Sequence, residues 1–511
     1  MHQNVISTER SVEPTQESSS RDTAILLAIA GVVALAHVLT NNRYGLHRDE
    51  LQTLSDALHM EWGFVAYPPL TPFVERGSMI LFGHWLIGLR MASVIAQAAV
   101  IVVTGLMARE LGGGRLAQLT AAVAAALAPL ALFEGTEFQY TTFDYLWWVL
   151  IAYFVIRLLK SEDPHWCLAI GATIGVGLMT KYTMAFYLAG IVGGALLTRA
   201  RKFLLSKWFW AGMALALVIC LPNLLWQARH EFISYHFLHY IHARDVRQGR
   251  GEGFWTGQFR IDTNLCAAPL WIGGLICFLR SPRYRMLGWM YLIPLAIFAL
   301  TKARFYYVGA AYPMLLAMGA AAGERWVAGL SRGRRWAVAG ALFAGIAAYG
   351  LYLGAMIVPI AASGPLKQFA LENNGDLREE IGWDDLVRAV AGVRDALPPE
   401  QRANTGVLVG NYGEMGAIEI FGPAYGLPRP ISLTNSGWLR GYPTPQPATL
   451  IVVGWSREQV DQALTDCRVA GHNGNSLGVS NEESRDHADI FLCGSPRKPW
   501  PQFWDDEQRF G

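Results

Sequence analysis

Apolar runs of about twenty residues recur along the first two thirds of this chain, separated by short polar connections. They fall at residues 23–41, 86–108, 116–133, 143–159, 166–182, 184–199, 208–226, 263–280, 286–301, 305–323 and 336–359. The pattern predicts about eleven transmembrane helices, hence an α-helical polytopic membrane protein. Residues 1–22 are polar, rich in Ser, Glu and Thr, and read as a disordered cytoplasmic tail. The run from Thr23 to Thr40 is too long for a signal-peptide core and has no clear small-residue cleavage site, so it reads as a retained first helix.

Past residue 359 the pattern changes. Gly406-Val-Leu-Val-Gly410, Thr449-Leu-Ile-Val-Val-Gly454 and Ile490-Phe-Leu-Cys493 read as short buried strands. Residues 456–467 read as an amphipathic helix capped by Ser456. Alternating strands and helices predict a small α/β domain over 360–511 with a partly parallel sheet. The run Asn411-Tyr-Gly-Glu-Met-Gly416 follows the first strand, where such folds place a ligand turn. It lacks G-x-G-x-x-G spacing, so it gives no nucleotide site.

Charge placement orients the helices. Connections holding Arg109/Arg115, Arg157/Lys160, Arg199/Arg201/Lys202/Lys207, Arg280/Arg283/Arg285 and Arg325/Arg332/Arg334/Arg335 alternate along the chain. The positive-inside rule puts these in the cytoplasm with the N-terminus, and an odd span count puts 360–511 outside. The opposite connections carry the chemistry: 42–85, 133–143, the turn at Lys181, 227–262 and 301–305.

Composition agrees with this picture. The 511 residues are 52% hydrophobic and only 16% charged, against about 25% charged in soluble domains. A net charge of +2 gives no sign of a nucleic-acid partner. The six cysteines show no C-x-x-C spacing, and Cys467 and Cys493 could pair if the C-terminal domain is extracytoplasmic.

Asp49 and Glu50 follow the first apolar run directly. Adjacent carboxylates beside a bilayer are costly, which makes them candidate general bases or metal ligands. The bland alternative is pairing with Arg48 or capping an interfacial helix from about residue 49. In the fourth outer connection His230, His236, His239 and His242 could face together and bind zinc, although interfacial packing is the commoner role.

In chain order, Asp49-Glu50, Tyr67-Pro-Pro-Leu70, Leu89-Arg90, Thr141-Thr-Phe-Asp144, Gly177-Leu-Met-Thr-Lys181, Lys302-x-Arg-Phe-Tyr-Tyr307 and Tyr312-Pro313 resemble the GT-C glycosyltransferases. Within that superfamily the chain is most similar to the group of protein O-mannosyltransferases and lipid A aminoarabinose transferases, over roughly residues 23–325. The resemblance implies a GT-C transmembrane domain over 23–359. It also implies inverting transfer from a polyprenyl-phosphate sugar to a glycan, lipid or protein on the outer face of the cytoplasmic (inner) membrane. One position departs: where the aminoarabinose transferases carry Glu-Lys before the first-loop proline, this chain has Ala66-Tyr67, which points away from lipid A and aminoarabinose.

The implied reaction assigns roles. Asp49 is the expected base, with Glu50 orienting it or touching the acceptor. Cations on the outer face run against the topology rule, so Lys302 and Arg304, with Lys181 and Arg260, are expected at the donor phosphate. Asp144, Tyr67, Tyr306 and Glu137 are expected to line the substrate. No cofactor is certain; a divalent metal could sit between Asp49 and Glu137 on oxygen ligands. The rival reading, a transporter or flippase of lipid-linked sugars, would call for internal repeats and midplane charges, which the sequence does not display.

Overall fold

The computed structural model describes residues 16–511, with side chains from Ser20 onward. Every predicted apolar run is largely helical, but the helices differ in length, and this decides how many can cross a membrane. Six are long and apolar enough among the described residues: 20–40, Leu86–Glu110, Tyr140–Ser161, Lys207–Arg229, Phe305–Ala328 and Arg332–Ile357. A seventh span results if Phe254–Arg260 and Leu265–Arg280, bent by 86°, count as one. Trp166–Leu178 and Met184–Leu196 have 13 residues each. At about 1.5 Å per residue they rise about 20 Å, short of a hydrocarbon core of about 30 Å. The run 116–133 breaks into Arg115–Ala126 and Pro129–Glu134, with Pro129 opening the second piece. A count of eleven spans is therefore not carried by the helices themselves. The first helix is Gln16–Thr40, beginning seven residues before the expected boundary; the rest of the expected tail, 1–15, lies outside the described residues.

Lys207–Arg229 and Arg332–Ile357 leave Trp210, Leu217, Val218, Trp336 and Leu351 exposed. Apolar surface of that extent is stable only against lipid or a partner. The protein is a multi-pass membrane protein.

The connections sort to the two ends of the bundle as the charge pattern predicted. At one end Arg115 pairs with Asp22, Lys160 with Glu110 and Lys202 with Glu162. At the other, the Leu70 amide bonds Met179 O, the Leu130 amide bonds Ile261 O, and Arg304 pairs with Asp245. The acid-bearing connections and those bearing Lys181 and Arg304 thus share one end.

The C-terminal domain sits on that same end. Its strands are Thr405–Val409 (β1), Pro430–Ser432 (β2), Thr449–Val453 (β3), Arg468–His472 (β4) and Asp489–Cys493 (β5), in the order β2-β1-β3-β5-β4. β1 runs parallel to β2 and β3, and β5 runs antiparallel to β3 and β4. β2 and β4 escaped the sequence reading because one is three residues long and the other is largely exposed. The expected helix over 456–467 is shorter, Arg457–Ala463, with Ser456 in a capping box. Cys467 and Cys493 are joined by a disulfide.

The expected ligand turn at 411–416 is instead the first turn of a helix, Tyr412–Phe421, capped by Asn411. In a doubly wound sheet the crevice beyond the carboxyl ends of adjacent parallel strands is the usual ligand position. Here Glu414, fully buried, fills the space beyond β1 and β3 and accepts the Gly410 amide at 2.8 Å and the Asn411 amide at 3.2 Å. Burial pushes its carboxyl up to about 7. Gly454, at φ 74°, closes over it: a Cβ there would lie 2.2 Å from the carboxylate.

The Tyr412–Phe421 helix packs against Arg48–Leu58, the first helix of the outer connection. A Cβ on Gly416 would meet Leu51 O at 2.4 Å, so the two backbones approach where only glycine fits. Around this contact Arg440 pairs with Asp56 and donates to Ser55 Oγ at 2.7 Å, and Glu419 bonds His59 at 2.6 Å. Burial raises Asp56 to about 6 against the pull of Arg440. Gly416→Val is expected to push the domain off this helix. Overpacking costs about 1–3 kcal/mol, to be read as a lowered Tm in detergent and faster proteolysis between 360 and 400.

Candidate active site

Asp49 and Glu50 lie in the first turn of the Arg48–Leu58 helix, and the turn sends them in different directions. His47 is the N-cap, and Glu50 completes a capping box with it, accepting the His47 amide at 2.8 Å. Glu50 is fully buried. Arg90 donates to it through Nε at 2.8 Å and a terminal nitrogen at 2.6 Å, and the Phe138 amide at 2.8 Å. Arg90 also donates to Asn41 O and Gly45 O, and lies 3.4 Å from Glu380. Glu50 is thus saturated by partners within the fold, and a role on the acceptor is corrected to one of support: it fixes the helix that carries Asp49. Asp49 is about a third exposed, 35% by side chain. Its Oδ1 accepts the Tyr412 hydroxyl at 2.8 Å, and Oδ2 lies 4.0 Å from His47 Nδ1. Arg48 turns away to Glu482.

Glu137 is buried, with one carboxylate oxygen 3.6 Å from His47 Nδ1 and the other without a hydrogen bond. Burial, reinforced by nearby Glu380 and Glu50, pushes its carboxyl well above the usual range. Among the described residues no group of three or more His, Cys, Asp or Glu is arranged to hold a metal ion. His236, His239 and His242 are exposed on the Ile233–Arg247 helix, and His230 stacks on Trp226 at 4.0 Å.

The cations gather opposite. The Lys181 ammonium sits among three tyrosine rings, 5.1 Å from Tyr140, 5.5 Å from Tyr306 and 4.7 Å from Tyr307. Such a cage attracts a cation through ring quadrupoles and leaves its N–H donors unsatisfied. Arg304 binds Asp245 through two nitrogens at 2.6 and 3.0 Å, and a third lies 3.3 Å from the Tyr306 hydroxyl. Tyr140, one wall of the cage, opens the helix Tyr140–Ser161. Tyr67 packs its ring 5.5 Å from Tyr140 but commits its hydroxyl to Asp56 at 2.6 Å.

Asp144 is not a helix cap. It lies one turn inside Tyr140–Ser161 and accepts Trp148 Nε1 at 3.1 Å and the Thr183 hydroxyl at 2.9 Å. Two expected phosphate ligands are not brought into the cluster. Lys302 is exposed at a left-handed position, φ 52°, and no ion pair or ring contact joins it to the cage. Arg260 is exposed, with its carbonyl bonded to Tyr349 on another face. The sequence reading missed Asp245, 59 residues from its partner Arg304, and Tyr412, 363 residues from Asp49. No local pattern marks either one.

Comparison with known proteins bears on the fold and on the first half of the chain. The family described as dolichyl-phosphate-mannose-protein mannosyltransferase matches residues 66–226. The chain is 25% identical over 259 residues to the lipid A galacturonosyltransferase RgtD of Rhizobium johnstonii, covering 47% of this chain and 52% of that one. It is 27% identical over 268 residues to the undecaprenyl phosphate-alpha-4-amino-4-deoxy-L-arabinose arabinosyl transferase of Pseudomonas paraeruginosa, covering 48% and 47%. The aligned part spans about half the length of these curated relatives. In fold the agreement runs further: apo ArnT from Cupriavidus metallidurans superposes with a TM-score of 0.56 at 15% identity, covering 93% of this chain and 98% of that one. Its undecaprenyl-phosphate-bound form gives 0.55 over 92% and 98%. The segment 66–226 is thus similar to that mannosyltransferase family, and over nearly its full length the chain shares the fold of ArnT.

Proposed function

We propose that this protein is an inverting glycosyltransferase that moves a sugar from a polyprenyl-phosphate carrier to an acceptor on the outer face of the cytoplasmic membrane. The observation that carries the reading is the caged ammonium of Lys181, whose Tyr306 wall also meets Arg304. A lipid phosphate needs held cations at the membrane surface, and the attacking hydroxyl needs an acceptor for its proton. In this reading Lys181 and Arg304 hold the phosphate, Tyr306 and Tyr307 shape its site, and Asp49 takes the acceptor's proton. Asp144, which accepts the Thr183 hydroxyl two residues past Lys181, supports the turn that carries that lysine. The Cys467–Cys493 disulfide supports an oxidising, extracytoplasmic position for the C-terminal domain, as does the alternation of basic connections. The likeness to a lipid A galacturonosyltransferase favours an envelope lipid as acceptor, although Ala66-Tyr67 departs from the motif expected of aminoarabinose transferases. The sugar is left open.

Purified protein in proteoliposomes, given labelled undecaprenyl-phosphate sugars and envelope lipids, tests the reading by mass spectrometry of the products. Sugar should appear covalently on an acceptor, with release of undecaprenyl phosphate. Movement of the intact donor across the bilayer without transfer would instead establish the transporter.

A further inference from the structure

We infer that the C-terminal domain completes the active site through Tyr412, a positioning residue that aims the Asp49 carboxylate. The inference rests on the reading of Asp49 as base. The Tyr412 hydroxyl donates to Asp49 Oδ1 at 2.8 Å, and among the described residues it is the one side chain that hydrogen-bonds that carboxylate. Three features set its place. Asn411 caps the helix that Tyr412 opens, accepting the Glu414 amide at 2.9 Å. A Cβ on Gly413 would meet the Arg48 Cβ and the Trp383 ring, each at 2.8 Å, and Gly416 lets the helix rest on Leu51 O. Arg48, the neighbour most able to capture Asp49, is drawn off to Glu482 of the same domain.

A carboxylate on a helix's first turn samples several rotamers, whereas a general base must lie within about 2.6–3.2 Å of the proton it takes. Fixing Oδ1 leaves Oδ2 without a hydrogen bond among the described residues, 4.0 Å from His47 Nδ1. In the transfer step the acceptor oxygen bonds to the anomeric carbon and the bond from that carbon to the phosphate oxygen breaks. The electron pair leaves with polyprenyl phosphate, and the acceptor's proton passes to Asp49 Oδ2. Tyr412 is neither consumed nor charged. Its donation favours the charged form of its acceptor, so the rate should respond to the strength of that one bond.

The test uses full-length protein and two replacements that keep the ring. Tyr412→Phe should lower kcat about 10-fold, the scale of one hydrogen bond to a charged group, with KM for the donor within about twofold. It should also move the acid limb of the pH–kcat profile to higher pH. A 3-fluorotyrosine at 412, a more acidic donor, should move that limb to lower pH. An unchanged kcat and acid limb in both overturns the inference, as does a fall in kcat tracking a fall in Tm with the limb unmoved. Full activity in Asp49→Asn is a separate failure, overturning the base reading itself.

Discussion

Asp49→Asn is expected to lower sugar transfer by about 10²–10⁴-fold, the usual contribution of a positioned general base. Asparagine keeps the shape and still accepts the Tyr412 hydroxyl through its amide oxygen, so the Arg48–Leu58 helix and the docked domain should stay in place. What is lost is the ability to take a proton. Binding of undecaprenyl phosphate, which the reading assigns to Lys181 and Arg304, should remain within about twofold, because neither cation contacts Asp49 directly. Single-turnover transfer and lipid binding, measured on the same preparation, separate the two. Activity within threefold of the parent would rule Asp49 out as base. An equal loss of lipid binding would instead make it part of the donor site.

Arg90→Met is expected to have the largest effect on folding. Arg90 and Glu50 are both fully buried, and the guanidinium bridges Glu50, Asn41 O, Gly45 O and Glu380. Its removal strands the Glu50 carboxylate beside Glu380, whose own carboxyl burial already pushes up. Breaking one side of a buried ion pair costs about 3–5 kcal/mol, a large share of a typical net stability of about 5–15 kcal/mol. Low yield and a Tm lowered by several degrees in detergent are the expected readings. Arg90→Met with Glu50→Gln should recover part of the loss, since position 50 then carries no unpaired charge beside Glu380, and a double-mutant cycle measures the coupling. Simple additivity would show that the pair does not act as a unit.

The adjacent acids show how legible the site was. Their presence at a membrane edge marked the region, because desolvation makes charge there conspicuous. Their division of labour was not legible: neighbours on a helix point about 100° apart, and which one meets Arg90 depends on a helix 40 residues away. The cations behave alike. Lys181, Lys302, Arg304 and Arg260 were all expected at the donor phosphate, yet two are held near the tyrosines and two are left exposed. Asp144 was expected to line the substrate, but the helix starts four residues earlier, at Tyr140, and both its carboxylate oxygens bond inside the bundle, to Trp148 and Thr183.

The sequence by itself determined the apolar runs, the sorting of connections to two ends, the strands at 405–409, 449–453 and 489–493, and the region that holds the candidate chemistry. Those features follow from hydropathy and charge, which act residue by residue along the chain. Tertiary structure alone decided the lengths that limit the clear spans to six, the split between Asp49 and Glu50, the cage around Lys181, the pairing of Arg304 with Asp245 and the hold of Tyr412 on Asp49. Each of these depends on the distance and direction between side chains remote in sequence, and those are fixed only when the helices pack.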